Sequence, residues 1–195
     1  MKTIWTIIIV FVLIISGMLI SMIWGAKLNY ESQAEAEIAA PADEVYRQFA
    51  VLENWTQWSP FVNQTASDVS LVTDETGPML QWTDPRGGLA QLRLVGTDAT
   101  AGTVDYEFIS PIFPPMRGTL TATPINPTTS KVQWTATGTL PNTFFYRLMS
   151  GNYDQSLSIQ LQQSLERLKA RYAMPDPASA QPAPSKPTDQ KQLEQ

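Results

Sequence analysis

The clearest indication of the fold of this chain is the pattern of residues 154–172, DQSLSIQLQQSLERLKARY. Its large apolar residues follow one another at intervals of three or four positions: Leu157, Leu161, Leu165, Leu168 and Tyr172. This is the spacing of one face of an α-helix. A helix with a single apolar face must cover another apolar surface. The stretch therefore predicts a long C-terminal helix packed on a sheet.

The region before this helix supplies the predicted sheet. It contains short runs in which apolar and polar residues alternate, the pattern of half-buried strands, at 69–72, 79–83, 89–95, 103–108, 117–123 and 131–137. Gly- and Pro-containing turns such as 76–78 separate the runs, and short turns join antiparallel neighbours. A weaker alternation at 34–40 adds an earlier strand. We predict an α+β fold, with a curved antiparallel sheet of about seven strands wrapped around the C-terminal helix.

Two short helices are predicted between the first strand and the rest of the sheet. Residues 41–44, Pro-Ala-Asp-Glu, are typical of a helix start, because Pro fits the first turn and carboxylates favour the positive end of the helix dipole. Aromatic residues three positions apart, Trp55, Trp58 and Phe61, then indicate one further helical turn that stops at Pro60.

The composition of the N-terminal segment predicts a membrane anchor. Residues 4–24 contain 17 apolar residues among 21, and no charged residue stands between Lys2 and Lys27. As a helix the segment would be about 31 Å long, the thickness of the hydrocarbon core of a bilayer. The alternative, a cleaved signal peptide, predicts a shorter apolar core and small residues at a cleavage site. We expect one transmembrane helix within residues 1–28.

The balance of charges around this segment predicts its orientation. Lys2 and the amino terminus lie on one side, whereas Lys27 on the other side is followed by Glu31, Glu35 and Glu37. Basic residues favour the cytoplasmic side. We therefore expect a single-pass membrane protein whose domain lies on the extracytoplasmic, periplasmic side.

The C-terminal segment differs in composition from the rest of the chain. Residues 174–195 contain five prolines among 22 residues, with Ala, Gln and Ser between them and no periodic apolar face. Such a segment buries too little surface to offset its ordering entropy. The predicted organisation is an anchor at 1–28, a domain at 29–173 and a disordered tail at 174–195.

The composition excludes several kinds of chemistry. The chain has no cysteine and no histidine, which excludes disulfides, thiolate metal sites and Ser-His or Cys-His catalysis. The net charge of −5 argues against nucleic acid as a partner. We expect no metal and no cofactor.

The sequence resembles the START-like SRPBCC superfamily, which includes proteins of the polyketide cyclase/dehydrase type. The resemblance rests on 35–46, EAEIAAPADEVY, and 52–61, LENWTQWSPF, and extends to 130–135 and the closing-helix segment 163–169. It covers about 140 of the 195 residues. It implies a helix-grip fold: a curved sheet around the C-terminal helix, with a pocket for an apolar small molecule.

Eight residues are candidates for the lining of that pocket. They are large and apolar or aromatic, which suits both an apolar ligand site and an ordinary core: Trp55, Trp58, Phe61, Trp82, Tyr106, Phe108, Met116 and Trp134. Two polar residues, Arg93 and Tyr106, are further candidates, although alternation favours an outer-face position for Arg93 and core packing for Tyr106. Residues 144–146, Phe-Phe-Tyr, are either a pocket gate or a packing staple.

Three functions remain open at this point. The favoured one is a membrane-tethered domain that binds a hydrophobic small molecule, such as a lipid, an isoprenoid or a quinone-like compound. The second is an enzyme of the cyclase or hydrolase type, for which few polar residues are found on the inward strand face. The third is a structural or stress-related interaction domain whose pocket is collapsed. The volume of the cavity between the last helix and the sheet separates the third from the others.

Overall fold

The computed structural model describes residues 2–25, 27–62, 68–84, 87–111 and 113–173. The helices in these ranges are α1 (Lys2–Trp24), α2 (Ala42–Ala50), a 3₁₀ turn (Leu52–Asn54), α3 (Trp55–Trp58) and α4 (Phe144–Ala173). The strands are β1 (Asn29–Ile38), β2 (Ser70–Asp74), β3 (Gly77–Thr83), β4 (Leu89–Asp98), β5 (Thr103–Ile109), β6 (Met116–Asn126) and β7 (Thr129–Thr139). The predicted α+β class and the order of elements are confirmed.

The strands form one antiparallel sheet in the order β1-β7-β6-β5-β4-β3-β2. All neighbours except β1 and β7 are joined by the chain in sequence, so the sheet is a meander to which the first strand returns. β1 and β7 pair along their whole length, from Asn29 opposite Thr139 to Ile38 opposite Ser130. This pairing brings the start of the domain next to its last strand.

Strict alternation divides each central strand into an inner and an outer face. On β7, the side chains of Val132, Trp134 and Ala136 are fully buried, whereas Gln133 and its outer-face neighbours are not. The inner face meets α2, which packs on β5, β6 and β7, while α4 packs along β1. Seven strands with a closing helix fit the predicted helix-grip fold.

Helix α4 buries the predicted apolar stripe. Leu161, Leu165 and Leu168 are fully buried and Leu157 nearly so. Two side-chain bonds tie the helix to β1: the Ser32 hydroxyl donates to the carbonyl oxygen of Asp154 at 3.0 Å, and the Gln162 amide donates to that of Glu35 at 3.1 Å. The core therefore lies between α4, the short helices and the inner face of the sheet.

The helix begins earlier than the sequence pattern predicts. The pattern predicts a loop over 140–149, but α4 starts at Phe144. Its first turn is capped by Thr143, whose side-chain oxygen accepts from the amide of Tyr146 at 3.5 Å. Phe144, Phe145 and Leu148 are exposed, so this turn has no buried stripe by which it could be recognised.

The structure does not confirm the predictions for the two ends of the chain. The helix expected near the amino terminus is present as α1, but none of the helices among the described residues combines the length and the apolar character that crossing a membrane needs. The prediction of a transmembrane anchor over 1–28 is therefore not confirmed. The predicted tail, 174–195, lies outside the described residues.

Candidate functional site

Four of the predicted pocket residues form one buried cluster, which we call the tryptophan cluster: Trp55, Trp58, Tyr106 and Trp134. All four side chains are fully buried. Their rings lie within van der Waals range, with centroids 4.8 Å apart for Trp55 and Trp58, 5.2 Å for Trp55 and Tyr106, and 5.5 Å for Trp58 and Trp134. The first pair is tilted and the other two are edge-to-face, and rings at such distances pack as they do in a core. The cluster fills the space between α3, β5 and β7.

A second row of rings extends from this cluster toward the end of the sheet. Phe61 stacks on Phe108 with centroids 5.0 Å apart, and Trp82 stacks on Phe108 at 6.0 Å. Phe61 also contacts Trp134 at 5.6 Å and Tyr106 at 6.1 Å, so it belongs to both groups. Phe61 is only partly buried, unlike the rings that it contacts.

A small cavity that is partly open to solvent lies at the far side of this row, between α4 and the β5–β6 connection. We call it the end cavity; it is lined by Phe61, Phe108, Phe113, Pro114, Met116, Tyr153, Ser156, Leu157 and Gln160. Its volume is about 40 Å³. That is room for one to a few water molecules, and far less than the roughly 300 Å³ at which small-molecule pockets begin.

The structure thus divides the predicted site residues into two sets. Phe61, Phe108 and Met116 line the end cavity, whereas the tryptophan cluster and Trp82 do not and instead pack as core. Five of the eight residues therefore do not line the end cavity, because their rings fill the space between the helices and the sheet themselves. Whether any of the eight contacts a ligand stays a prediction.

Sequence reasoning did not identify the α4 side of the cavity. Tyr153, Ser156 and Gln160 line it from the helix, with Leu157 between them. Tyr153, Leu157 and Gln160 are four and three positions apart, the spacing of one helical face, but Tyr153 precedes the stretch from which the helix was predicted. Phe113 and Pro114 carry no signal of this kind because they lie in an irregular connection.

The tyrosines near this end of the core hold their protons strongly. Burial raises the pKa of Tyr153 to about 12. The centre of its ring lies 4.8 Å from that of Tyr30. The Tyr30 hydroxyl donates to the carbonyl oxygen of Pro115 at 3.4 Å, and burial also raises the pKa of Tyr30. Burial raises the pKa of Tyr106 well above its ordinary range too, and its oxygen accepts from Trp134 Nε1 at 2.9 Å. At neutral pH these groups are neutral hydrogen-bonding phenols.

Arg93, the other polar candidate, and the carboxylate at the start of α2 lie away from the end cavity. Arg93 belongs to an ion pair with Asp74, at 3.8 Å, and donates to the Thr76 hydroxyl, so it ties β4 to the β2–β3 hairpin. Asp43 pairs with Arg47 one turn along α2, at 2.7 Å, on the exposed surface. In the part of the chain that the structure describes, no group of three or more His, Cys, Asp or Glu residues could hold a metal ion.

Solved structures of proteins from several organisms have the same fold. An uncharacterised Bacillus thuringiensis protein has 15% identity and a TM-score of 0.57, with 74% of this chain and 99% of that chain covered. A Thermus thermophilus protein has 20% identity and a TM-score of 0.55, with 77% and 99% covered. Norcoclaurine synthase of Thalictrum flavum, solved with dopamine and hydroxybenzaldehyde, has 12% identity and a TM-score of 0.52, with 75% and 89% covered.

The sequence comparisons place the chain in a family. No curated protein sequence matches it. Residues 30–173 match the sequence model of the family described as polyketide cyclase / dehydrase and lipid transport. This match covers most of the chain and ends where α4 ends. The chain therefore belongs to the polyketide cyclase / dehydrase and lipid transport family.

Proposed function

We propose that the domain binds an apolar small molecule, such as a lipid, an isoprenoid or a quinone-like compound, between the sheet and α4. The observation that carries this proposal is the end cavity, which has aromatic walls from the sheet side and the polar side chains of Ser156 and Gln160 on the helix side. Apolar walls with a few polar groups are the usual composition of small-molecule sites. The family description, which includes lipid transport, supports the same class of ligand.

Binding requires the end cavity to grow beyond about 40 Å³. Two of its walls are suited to move. Phe113, which is 40% exposed, lies in the irregular connection between β5 and β6, and Phe61 is partly buried in the segment after α3. Outward movement of these rings would widen the cavity without disturbing the strands.

The experiment is a search for a bound or bindable ligand. The full chain is purified, extracted with organic solvent, and the extract is analysed by mass spectrometry. In parallel, a panel of lipids, isoprenoids and quinones is screened by thermal unfolding, because a ligand at roughly 100 times its Kd adds about 2.7 kcal/mol to the folded state. An extractable ligand or a saturable thermal shift is expected. A protein with neither does not have this function.

The size of the cavity favours one other candidate, the structural or interaction domain with a collapsed pocket. In that case the tryptophan cluster is a permanent core, and the surface of the domain carries its function. This candidate predicts that no member of the panel shifts the unfolding temperature. The same screen therefore separates the two.

The enzyme alternative has less support. A general acid or base works best with a pKa near the operating pH. Of the described residues that line the end cavity, the titratable one is Tyr153, whose pKa is about 12. Turnover of a cyclisable polyketide substrate by the purified chain would restore this alternative.

We also propose that α1 attaches the domain to a membrane. Large apolar side chains are exposed on every side of this helix, from Ile4 and Trp5 through Phe11 to Ile20 and Trp24. A helix that is apolar all round is normally covered by other protein or by lipid. Recovery of the full chain in the membrane fraction, and loss of that recovery on deletion of 1–28, is the expected result. A full chain that remains in the soluble fraction contradicts the proposal.

The extracytoplasmic location stays a prediction from the charges around α1. Protease added to intact cells or spheroplasts should digest the domain while a cytosolic control remains intact. Protection of the domain together with the control would place it on the other side.

A further inference from the structure

The indole N–H of Trp58 is a buried donor without an acceptor. Trp58 is fully buried in α3, and among the described residues its Nε1 has no hydrogen-bond partner. Buried polar groups in proteins are nearly always paired, because an unpaired one loses its bonds to water without replacement. We therefore expect Trp58 Nε1 to donate to an acceptor from outside the described residues.

The other two indoles of the tryptophan cluster, unlike Trp58, have hydrogen-bond acceptors. Trp55 Nε1 donates to the carbonyl oxygen of Phe49 at 2.8 Å, and Trp134 Nε1 donates to the Tyr106 hydroxyl at 2.9 Å. Of the three indoles in the tryptophan cluster, two have satisfied donors and one has not. The surroundings are aromatic, so an acceptor could not come from a rearranged side chain of the cluster other than Tyr106, which already accepts from Trp134.

Two rings in contact with each other, Phe61 and Trp134, connect the end cavity to Trp58. Phe61 lines the cavity and contacts both Trp134 and Tyr106, while Trp134 contacts Trp58 at 5.5 Å. Phe61 is partly buried and follows α3 in a segment without regular secondary structure. When its side chain turns outward, the space that it leaves extends the end cavity toward the tryptophan cluster.

We propose that Trp58 is a ligand-binding residue whose Nε1 donates a hydrogen bond to a carbonyl oxygen of a flat apolar ligand that displaces Phe61. A flat ligand fits because the walls are aromatic rings, which stack on planar partners. A carbonyl group fits because it supplies an acceptor without the charge that burial would penalise. The inference rests on the proposed function, and it narrows the ligand class to quinones and aromatic ketones.

The test compares two probes of nearly the same shape. 2-Methyl-1,4-naphthoquinone and 2-methylnaphthalene share their rings and methyl group, and the quinone adds two carbonyl oxygens. The chain has no cysteine to which the quinone could add covalently. Dissociation constants are measured by equilibrium dialysis with the full chain, its Trp58→Phe variant and the control Trp5→Phe, all in the same detergent.

The decisive quantity is the change that a variant makes in the ratio of the two dissociation constants, because the different hydration and detergent partition of the two probes are the same for every variant. Trp58→Phe should reduce the preference for the quinone by up to about tenfold, which corresponds to the loss of one net hydrogen bond. Trp5→Phe should leave the ratio unchanged, because Trp5 lies on the exposed surface of α1.

Two other results overturn the inference. A ratio that is the same in the unmodified chain and in Trp58→Phe leaves the proposed function standing and removes the role of Trp58. Failure of both probes to bind also removes the role of Trp58, whereas the proposed function fails only if the extraction and the ligand panel find nothing. If Trp58→Phe does not fold, Trp58 is replaced by β-(3-benzothienyl)alanine, which keeps the ring shape and lacks the N–H, and the same ratio is measured.

Discussion

Trp134 Nε1 donates a 2.9 Å hydrogen bond to the Tyr106 hydroxyl at the centre of the core, and both side chains are fully buried. The two residues lie on β7 and β5, with β6 between them. The bond therefore spans the middle of the sheet on its inner face. Burial raises the pKa of Tyr106, so the phenol that accepts this bond is neutral at physiological pH.

Removal of one partner of this bond should destabilise the fold. Tyr106→Phe leaves the Trp134 N–H buried without an acceptor, which costs about 1–3 kcal/mol. Trp134→Phe leaves the hydroxyl without its donor and also leaves a space. Because the two substitutions remove the same interaction, the double variant should lose less stability than the sum of the single variants. Chemical unfolding of the four proteins measures this, and strict additivity would contradict the account.

Gly118 should not accept a side chain. It lies opposite Tyr106 in the β5–β6 pair, and the tyrosine ring covers it so closely that a Cβ would collide with the ring. Because the ring is buried and cannot swing away, Gly118→Ala should cost about 1–3 kcal/mol.

A matched control for this substitution exists in α4. Gly151 is exposed on the helix, and an added methyl group would meet nothing within 4 Å, so Gly151→Ala should stabilise the protein by about 0.5–1 kcal/mol through helix propensity. Opposite signs in thermal or urea unfolding are expected. A neutral Gly118→Ala would mean that the Tyr106 ring is not held over this glycine.

The ionisation of Tyr153 should contribute to a loss of stability at alkaline pH. Its pKa is about 12 in the folded chain, compared with an ordinary value of 10.0. Because the folded-state pKa is the higher one, the stabilisation is complete below about pH 10 and is lost as the pH rises from about 10 to about 12, while the unfolded chain ionises first. Urea unfolding of Tyr153→Phe between about pH 8 and pH 11.5 should show a shallower decline than the unmodified chain. Identical slopes would show that Tyr153 is not shielded from solvent.

Arg147 should hold α1 against the domain. Its guanidinium donates to the carbonyl oxygen of Trp24 at 2.8 Å and lies 5.3 Å from the centre of the Trp24 ring. Arg147→Ala should therefore loosen the connection between α1 and β1 and speed tryptic cleavage at the exposed Lys27 several-fold. The control is Arg171→Ala, in the last turn of the same helix. Equal cleavage rates in both variants would contradict this role.

Much of the fold follows from the sequence because it depends on periodicity. The alternation at Val132, Trp134 and Ala136 and the helical stripe from Leu157 to Leu168 specify which face of each element is buried, and burial decides how the elements stack. The start of α4 does not follow, because Phe144 and Phe145 are exposed and produce no amphipathic pattern.

The candidate site depends on a different quantity, the volume that remains after the side chains have packed. Alternation correctly assigns Trp134 and Tyr106 to the inner face, but it cannot tell a ring that lines a cavity from a ring that fills one. The position of Gln160 at the end cavity likewise depends on how α4 is placed along the β5–β6 connection, and this is a long-range relationship. Both features therefore required the three-dimensional arrangement.

The central claim, that a ligand binds between α4 and the sheet, is tested most directly by blocking the end cavity. Gln155 and Gln160 are both exposed on α4, and Gln160 lines the cavity whereas Gln155 does not. The measurement is the dissociation constant of 2-methylnaphthalene, or of whichever ligand the screen identifies, for the unmodified chain, Gln160→Trp and Gln155→Trp. Gln160→Trp should weaken binding at least tenfold, a loss of about 1.4 kcal/mol, because the larger side chain blocks the cavity, while Gln155→Trp should leave binding unchanged. Equal binding by all three proteins would contradict it.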